Sequence, residues 1–324
     1  MSVRFSDYLG LPVLVTGGAG FIGSHLVRGL LAAGANVLVL DNFSNGSMDN
    51  LEGLERRLGI MTGDVALLAD CQRAVQGRAI VFHLAALGSV PRSVEQPVEY
   101  NKVNVTGTLN VLEAARQAGV RRVIYSASSS AYGDTPTLPK VETMVPQPKS
   151  PYAIGKLVGE YYCRVYAEVY GMQTLSLRYF NVFGPRQSPT SQYAAVIPAW
   201  VSMILKGQRP KVYGDGGQTR DFCFVSNVVD ANMRGGIIDD RVLKGEVCNV
   251  GCAENISLNQ MLEKLSALLG KKVDAEYLPP RAGDVRDSLA DISAIREVLG
   301  YEPLVRFDEG LKQTVEYFRA LYAH

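Results

Sequence analysis

Tyr152 and Lys156, in the run YAIGK, place a phenol and an ammonium four residues apart, on one face of a helix. The lysine charge is expected to lower the tyrosine pKa and favour phenolate near neutral pH. A phenolate can serve as general base toward an alcohol. Ser126, Ser128, Ser129 and Ser130 lie a short distance upstream, where a strand should end. One such hydroxyl could pass a proton or hold a polyol, and the others are turn residues. A tyrosine and lysine at this spacing are common and mostly inert. Here a glycine-rich loop, the serine run and the proline-rich lead from Pro146 to Pro151 keep them company.

The glycine loop reads TGGAGFIG over residues 16–23, with Gly17, Gly20 and Gly23 at G-x-x-G-x-x-G spacing between an expected strand and an expected helix. In that setting Gly17 permits the turn, Gly20 lets a pyrophosphate approach the backbone, and Gly23 permits close helix–sheet packing. The helix N-terminus offers unpaired N–H groups to the anion. Asp41, at the end of the second strand, can accept hydrogen bonds from both ribose hydroxyls and would repel a 2′-phosphate, so NAD is expected rather than NADP. The competing role for Asp41 is a turn cap. Asn42, Ser44, Asn45, Gly46 and Ser47 form a polar turn beside it. Asp64, before Val65, suits either the adenine amino group or the N-cap of a helix. Leu84, Ala85 and Ala86 follow the fourth strand and are small enough to lie against a cofactor. His83 reads as a packed core residue.

These groups need a scaffold, and the hydrophobic pattern supplies one. Strand-length apolar runs over 12–16, 36–40, 58–62, 80–83, 122–127 and 174–178 alternate with helical stretches over 21–33, 66–75, 98–118 and 152–170. This rhythm specifies an α/β fold: a Rossmann-like, doubly wound parallel sheet covered on both faces. It breaks after Arg178, where Pro and Gly become frequent. Helices over 195–205, 227–238, 258–269, 292–299 and 307–321, with strands near Phe222 and over 247–250, suggest a smaller C-terminal α/β substrate lobe. The expected division is a nucleotide domain over 1–178, with segments near 219–250 returning to it, and a substrate lobe over most of 179–324.

The 324 residues suffice for about two domains. With 33 Lys plus Arg against 32 Asp plus Glu, the net charge of +1 argues against a nucleic-acid binder. The 32 glycines exceed the average share, as expected where backbone approaches phosphate. No apolar run reaches membrane-spanning length and no signal peptide is visible. Five cysteines without a CxxC pair read as reduced thiols, which points to a cytoplasmic protein without a metal site.

Together, GGAGFIG, Asp41-Asn42, HLAA, SASSSAYG, YAIGK and RYFNVFGPRQ resemble the extended short-chain dehydrogenase/reductase family over essentially the whole chain. Within it the chain is similar to the UDP-sugar 4-epimerases, nearest the bacterial branch that acts on N-acetylated hexosamines. The resemblance implies bound NAD, a UDP-sugar substrate and a homodimer joined through the helices over 98–118 and 152–170. It implies Tyr152 and Lys156 as catalytic pair and Ser128 as catalytic serine, with Ser129 as the alternative. On the cofactor side it adds Phe21, Ile22 and Tyr179. On the substrate side it implies Ser89, Ser129, Ser130 and Asn181 near the sugar, Ala195 and Val196 beside the sugar nucleotide, and Lys211 and Tyr213 near the uracil. Arg220 and Arg281 would clamp the diphosphate, because planar guanidinium forks fit phosphate oxygens. Asp284 and Ser288 follow in the segment that ends against the sugar. In galactose-only relatives a bulky tyrosine matches Ser288, so a small serine implies room for a 2-acetamido group. The implied reaction is reversible C4 epimerisation through a 4-keto sugar. Alternatives are epimerisation of a UDP-uronic acid, with Arg92 or Arg286 as carboxylate partner, or of UDP-glucose only, a dehydratase, and a non-catalytic NAD-binding protein.

Overall fold

The computed structural model describes residues 4–189, 195–238, 243–279 and 286–323. Its first half follows the expected alternation. Strand β1 (Pro12–Thr16) leads to α1 (Phe21–Ala32), β2 (Asn36–Asp41), β3 (Gly59–Thr62), α2 (Leu68–Ala74) and β4 (Ile80–His83). Next come α3 (Val90–Glu95), α4 (Pro97–Asn101), α5 (Gly107–Gln117), β5 (Arg122–Ser128), α6 (Pro151–Tyr170) and β6 (Gln173–Tyr179). Continuous apolar strands can be buried on both faces, and here they are: β4 and β5 have no exposed residue.

The second half departs from the rhythm. It contains β7 (Val182–Phe183), α7 (Val196–Leu205), β8 (Lys211–Tyr213), β9 (Thr219–Arg220), β10 (Cys223–Phe224) and α8 (Val225–Ile237). These are followed by β11 (Glu246–Val250), β12 (Ile256–Ser257), α9 (Leu258–Leu269), β13 (Glu276–Leu278), α10 (Ser293–Leu299) and α11 (Phe307–Tyr322).

Seven strands form one parallel sheet in the order β11-β6-β5-β4-β1-β2-β3. The order reverses between β1 and β4, so their C-terminal ends open a crevice, the usual ligand position in such sheets. One core cluster covers the face carrying α1 and α8, and a second covers the face carrying α2, α5 and α6. A third, built on Phe183, Trp200, Phe222, Phe307 and Phe318, belongs to the smaller lobe.

Three expectations need correction. The helix expected over 98–118 is interrupted by a π-helical turn at Lys102–Thr106, and α3 precedes it. The turn carries Asn104, whose buried carboxamide accepts from Leu87 N (2.9 Å) and donates to Leu87 O (3.0 Å), tying the helix to the loop after β4. The helix expected from Ala66 starts at Leu68, because Asp64 first closes a turn by accepting from Ala66 N (2.8 Å). The single strand expected near Phe222 is two short strands, β9 and β10, on either side of it. The short β7, β8, β12 and β13 give no periodic signal; each pairs with a segment distant in sequence.

Candidate active site

A cleft of about 870 Å³ runs along the C-terminal edge of the sheet and over the smaller lobe. At one end lies the glycine loop. A Cβ on Gly23 would stand 2.1 Å from Gly17 O, and one on Gly17, at φ +70°, would stand 2.7 Å from Ala85 N. The loop can therefore fold against the start of α1 and the loop after β4 only with glycine at these positions. No side chain caps the N-terminus of the twelve-residue α1, so its amide groups are available to an anion. Phe21, Ile22, Leu84, Ala85, Ala86 and Val65 supply apolar lining.

Asp41 is a turn cap and also stands where a ribose carboxylate is expected. It lines the cleft, and its carboxylate accepts from Ala19 N (2.9 Å) and Phe43 N (2.8 Å). Each oxygen keeps a further lone pair for a ligand hydroxyl. Asn42, Ser44 and Gly46 line the cleft beside it, and Gly46 packs against Ala19 so closely that a Cβ would stand 2.9 Å from its carbonyl carbon. Asp64 also lines the cleft; it does not cap α2. His83 is a core residue between Thr16 Oγ1 (2.8 Å) and Thr108 Oγ1 (3.0 Å), and burial drives its pKa down to about 3.

The chemical groups sit midway. β5 ends at Ser128, in register with Tyr179. α6 starts at Pro151, preorganised for the first helical position, and Ser150 Oγ caps it by accepting from Ala153 N (3.1 Å). This fixed start sets Tyr152 over the sheet edge, and Lys156 follows one turn later. Lys156 is buried, its Nζ donating to Ser126 O (2.7 Å) and Ser126 Oγ (3.2 Å) and lying 5.2 Å from the Tyr125 ring centre. Burial lowers its pKa to about 7, partly opposed by the Glu160 charge.

The expectation that Lys156 lowers the Tyr152 pKa is not met in this arrangement. Burial raises the phenol above its ordinary value, a hydrogen bond with Ser128 pulls it down, and Tyr100 adds a smaller upward push. The lysine is directed at Ser126 instead. Ser128 and Ser129 both line the cleft beside Tyr152, and Ser128 Oγ accepts from Ser130 N (3.2 Å) and Ser130 Oγ (2.9 Å).

At the far end, Asn181 Nδ2 donates to Asp221 O (3.1 Å) and Ser288 Oγ (3.1 Å), so Asn181 and Ser288 form one wall. Ser89, Ser129, Ser130, Tyr179, Ala195 and Arg220 also line the cleft. The Tyr179 hydroxyl points away, accepting from Asn232 Nδ2 (2.8 Å) in the core. Three expected substrate residues are not brought in. Val196 opens α7 behind Ala195, and Lys211 and Tyr213 lie on β8, which pairs with β13 outside the cleft. Arg281 and Asp284 lie outside the described residues.

Tyr100, Tyr132, Lys140 and Gln187 line the cleft and were not assigned from sequence. Gln187 stands within the RYFNVFGPRQ motif and could have been found there. Lys140 lies in a loop with no periodicity and reaches the cleft by bridging to Ala290, a contact that local pattern does not carry.

Residues 13–251 match the NAD dependent epimerase/dehydratase family. The UDP-glucose 4-epimerase of Mycolicibacterium smegmatis is 41% identical over 318 residues, covering 95% of this chain and 99% of that one. The UDP-N-acetylglucosamine 4-epimerase from Methanobrevibacter ruminantium M1, in complex with UDP-N-acetylmuramic acid, is 40% identical with a TM-score of 0.91, covering 97% and 99%. The UDP-glucuronic acid 4-epimerase from Bacillus cereus, in complex with UDP-glucuronic acid and NAD, is 31% identical with a TM-score of 0.89, covering 96% and 100%. The glycine cradle and uncapped α1 terminus fit the NAD that this family uses.

The buried lysine makes a stability prediction. Between pH 7 and its unfolded pKa near 10.5, the unfolded chain holds a proton on Lys156 that the folded chain does not. Folded-state stability from this group therefore rises with pH through that window. Lys156→Met should be more stable than wild type at pH 7 and lose part of that advantage at pH 9.5. Urea unfolding at both pH values checks this; an advantage unchanged with pH would refute it.

Fold, cradle and relatives converge: the chain belongs to the NAD dependent epimerase/dehydratase family, and it is an NAD-dependent isomerase.

Proposed function

We propose that this protein catalyses the reversible C4 epimerisation of a UDP-hexose, with UDP-N-acetylglucosamine and UDP-N-acetylgalactosamine as its preferred pair. The observation that carries the reading is one continuous cleft. It joins the glycine cradle, the Tyr152, Ser128 and Lys156 group and the Asn181–Ser288 wall. The named activities of the relatives support the reaction class.

In this reading the UDP-sugar lies with its diphosphate toward Arg220 and its sugar against Ser288. Tyr152, once its own proton has passed to solvent, accepts the proton from the sugar O4 as phenolate, and Ser128 beside it steadies that hydroxyl and relays the proton. Lys156 holds α6 against β5 through Ser126. NAD, when bound, supplies the acceptor and donor of the C4 hydride, so turnover consumes no external oxidant. The same tyrosine returns the proton once the 4-keto sugar has presented its other face. No carboxylate follows Ser128, where Ser129, Ser130 and Ala131 stand, so the acid–base pair of a dehydratase is missing from that position.

The UDP-uronic acid reading is supported by the similarity to the UDP-glucuronic acid 4-epimerase of Bacillus cereus and by Arg92, which lines the cleft. Arg286 does not serve it, since its guanidinium faces Asp215 at 3.4 Å. Incubation with each UDP-sugar, followed by separation of C4 epimers, decides between them. The N-acetylated pair should epimerise without net NADH; turnover of UDP-glucuronic acid alone would overturn the preference.

Tyr152→Phe keeps the ring and removes the ionising group, so kcat should fall by roughly 100-fold or more. Activity within a few-fold of wild type would reject Tyr152 as base. Ser288→Tyr should abolish the N-acetylated pair while retaining UDP-glucose/UDP-galactose turnover, because a close-packed wall cannot admit both a phenol and an acetamide. The kcat/KM of both pairs in wild type and variant measures this, and equal losses would count against it.

The protein is further proposed to work as a homodimer in the cytoplasm. Ile154, Tyr161, Val165 and Val169 form an exposed apolar stripe on α6, with exposed Val94 and Val98 on α3 and α4. Such a stripe suits a second copy of the same helices. Sedimentation should give a dimer that Val165→Glu converts to monomer, and a monomeric wild type would contradict it. All five thiols are buried and free, as in a reducing compartment, and among the described residues no helix is long and apolar enough to cross a membrane.

A further inference from the structure

The segment that presents Ser288 belongs to no regular sheet. Ser288 N donates to Thr219 O (3.1 Å), and Ala290 forms an isolated bridge with Lys140. Around that bridge Lys140 N donates to Leu289 O (2.7 Å) and Asp291 N donates to Lys140 O (2.9 Å). Ala290 N donates to the buried carboxylate of Asp221 (3.1 Å). So short a pairing is not stable by itself, and something beneath it must fix its position.

Asn249, on β11 of the main sheet, is that support. It is fully buried and lines no part of the cleft. Its Nδ2 donates to Lys140 O (2.9 Å) and to Asp291 O (3.1 Å), one carbonyl on each side of the bridge. Its Oδ1 accepts from the Tyr132 hydroxyl (2.7 Å), which orients the carboxamide with its nitrogen toward the carbonyls. The Tyr132 ring in turn lies 4.6 Å from the Arg178 guanidinium. Arg178 is held by two hydrogen bonds to Glu160 (3.0 and 2.7 Å), one turn beyond Lys156 on α6. A buried polar chain thus runs from the helix of Tyr152 and Lys156, beneath the sheet edge, to the wall that bears Ser288.

We propose that Asn249 is a positioning residue for the sugar-binding wall: its carboxamide sets the distance of the Ser288 segment from the catalytic helix. The proposal rests on the UDP-sugar reading above. It predicts an effect on substrate affinity rather than on chemistry. Tyr152, Ser128 and Lys156 are anchored on β5 and α6 by bonds that do not pass through Asn249. An interaction used equally in ground and transition states changes KM and leaves kcat alone.

Asn249→Asp tests this at constant volume. It replaces the two donated hydrogen bonds by a carboxylate oxygen facing two carbonyl oxygens, while Tyr132 can still donate. KM for the UDP-sugar should rise about tenfold or more, with kcat within about threefold of wild type and NAD affinity by calorimetry unchanged. Tyr132→Phe keeps the ring over Arg178 and releases the carboxamide orientation, so KM should rise a few-fold. The double variant should be no worse than Asn249→Asp alone, since both act through one contact. If Asn249→Asp fails to fold, Tyr132→Phe decides by itself. An unchanged KM, or a fall in kcat without a rise in KM, overturns the proposal. A merely structural role would reduce the yield of active enzyme and leave its KM intact. A wild type inactive on every UDP-sugar overturns the underlying reading, and this proposal with it.

Discussion

The burial of the Lys156 ammonium is the constraint to which the rest of the catalytic half answers. A lysine that titrates near 7 when folded rather than near 10.5 costs on the order of 5 kcal/mol of folding free energy at pH 7. That figure is what remains after the Glu160 charge one turn away has offset part of the burial; the lysine's other neighbours are the Ser126 carbonyl and hydroxyl and the Tyr125 ring on β5. Glu160 is itself buried, so it needs Arg178, and Arg178 needs the Tyr132 ring. Each charge taken out of water recruits the next, until the chain ends on neutral hydrogen bonds at Asn249. Stability spent on one ammonium holds α6 at a fixed height over the sheet edge, and Tyr152 with it.

The parts of this arrangement legible in the sequence are those whose chemistry is local. The glycine spacing around Gly17, Gly20 and Gly23 is visible because tight turn, close approach and helix start all fall within eight residues. Tyr152 and Lys156 are visible because one helical turn joins them. Most of the sheet is visible because its central strands, buried on both faces, are apolar runs; β3, with no buried residue, and β11, with Asn249 inside it, give weaker signals. Relations set by distant partners are not visible. The direction of the Tyr152 pKa is one: the charge of Lys156 suggests a fall, yet burial raises the phenol, and the lysine turns toward Ser126. The strand that carries Lys211 and Tyr213 is another, formed by pairing with β13 far along the chain. Lys140 and Asn249 belong to the same class, because they act on residues 109 or more positions away or through an isolated bridge.

Asp41 shows how a single residue can satisfy two readings. Its carboxylate caps the glycine loop at Ala19 and the following turn at Phe43, and it still lines the cleft. The cap holds the carboxylate in place before any ribose arrives, and a fixed acceptor loses less entropy on binding than a mobile one. Capping and a binding role are therefore compatible at this residue.

The two ends of the cleft are built on different principles. The nucleotide and catalytic end rests on parallel strands, whose backbone hydrogen bonds fix Ser128 against Tyr179 in register. The sugar end rests on loops, fastened to that sheet by a few buried side chains: Asp221 from one side, Asn249 from the other, and Asn181 across to Ser288. A sheet cannot change one residue's height without shifting its register, whereas a loop held by single hydrogen bonds can. The chemistry thus sits where the backbone is least adjustable, and substrate choice sits where one side chain can move a wall. On this view selectivity for the sugar depends on how firmly the Ser288 segment is held as much as on the size of Ser288 itself, because a small residue opens space only if the backbone behind it stays in place.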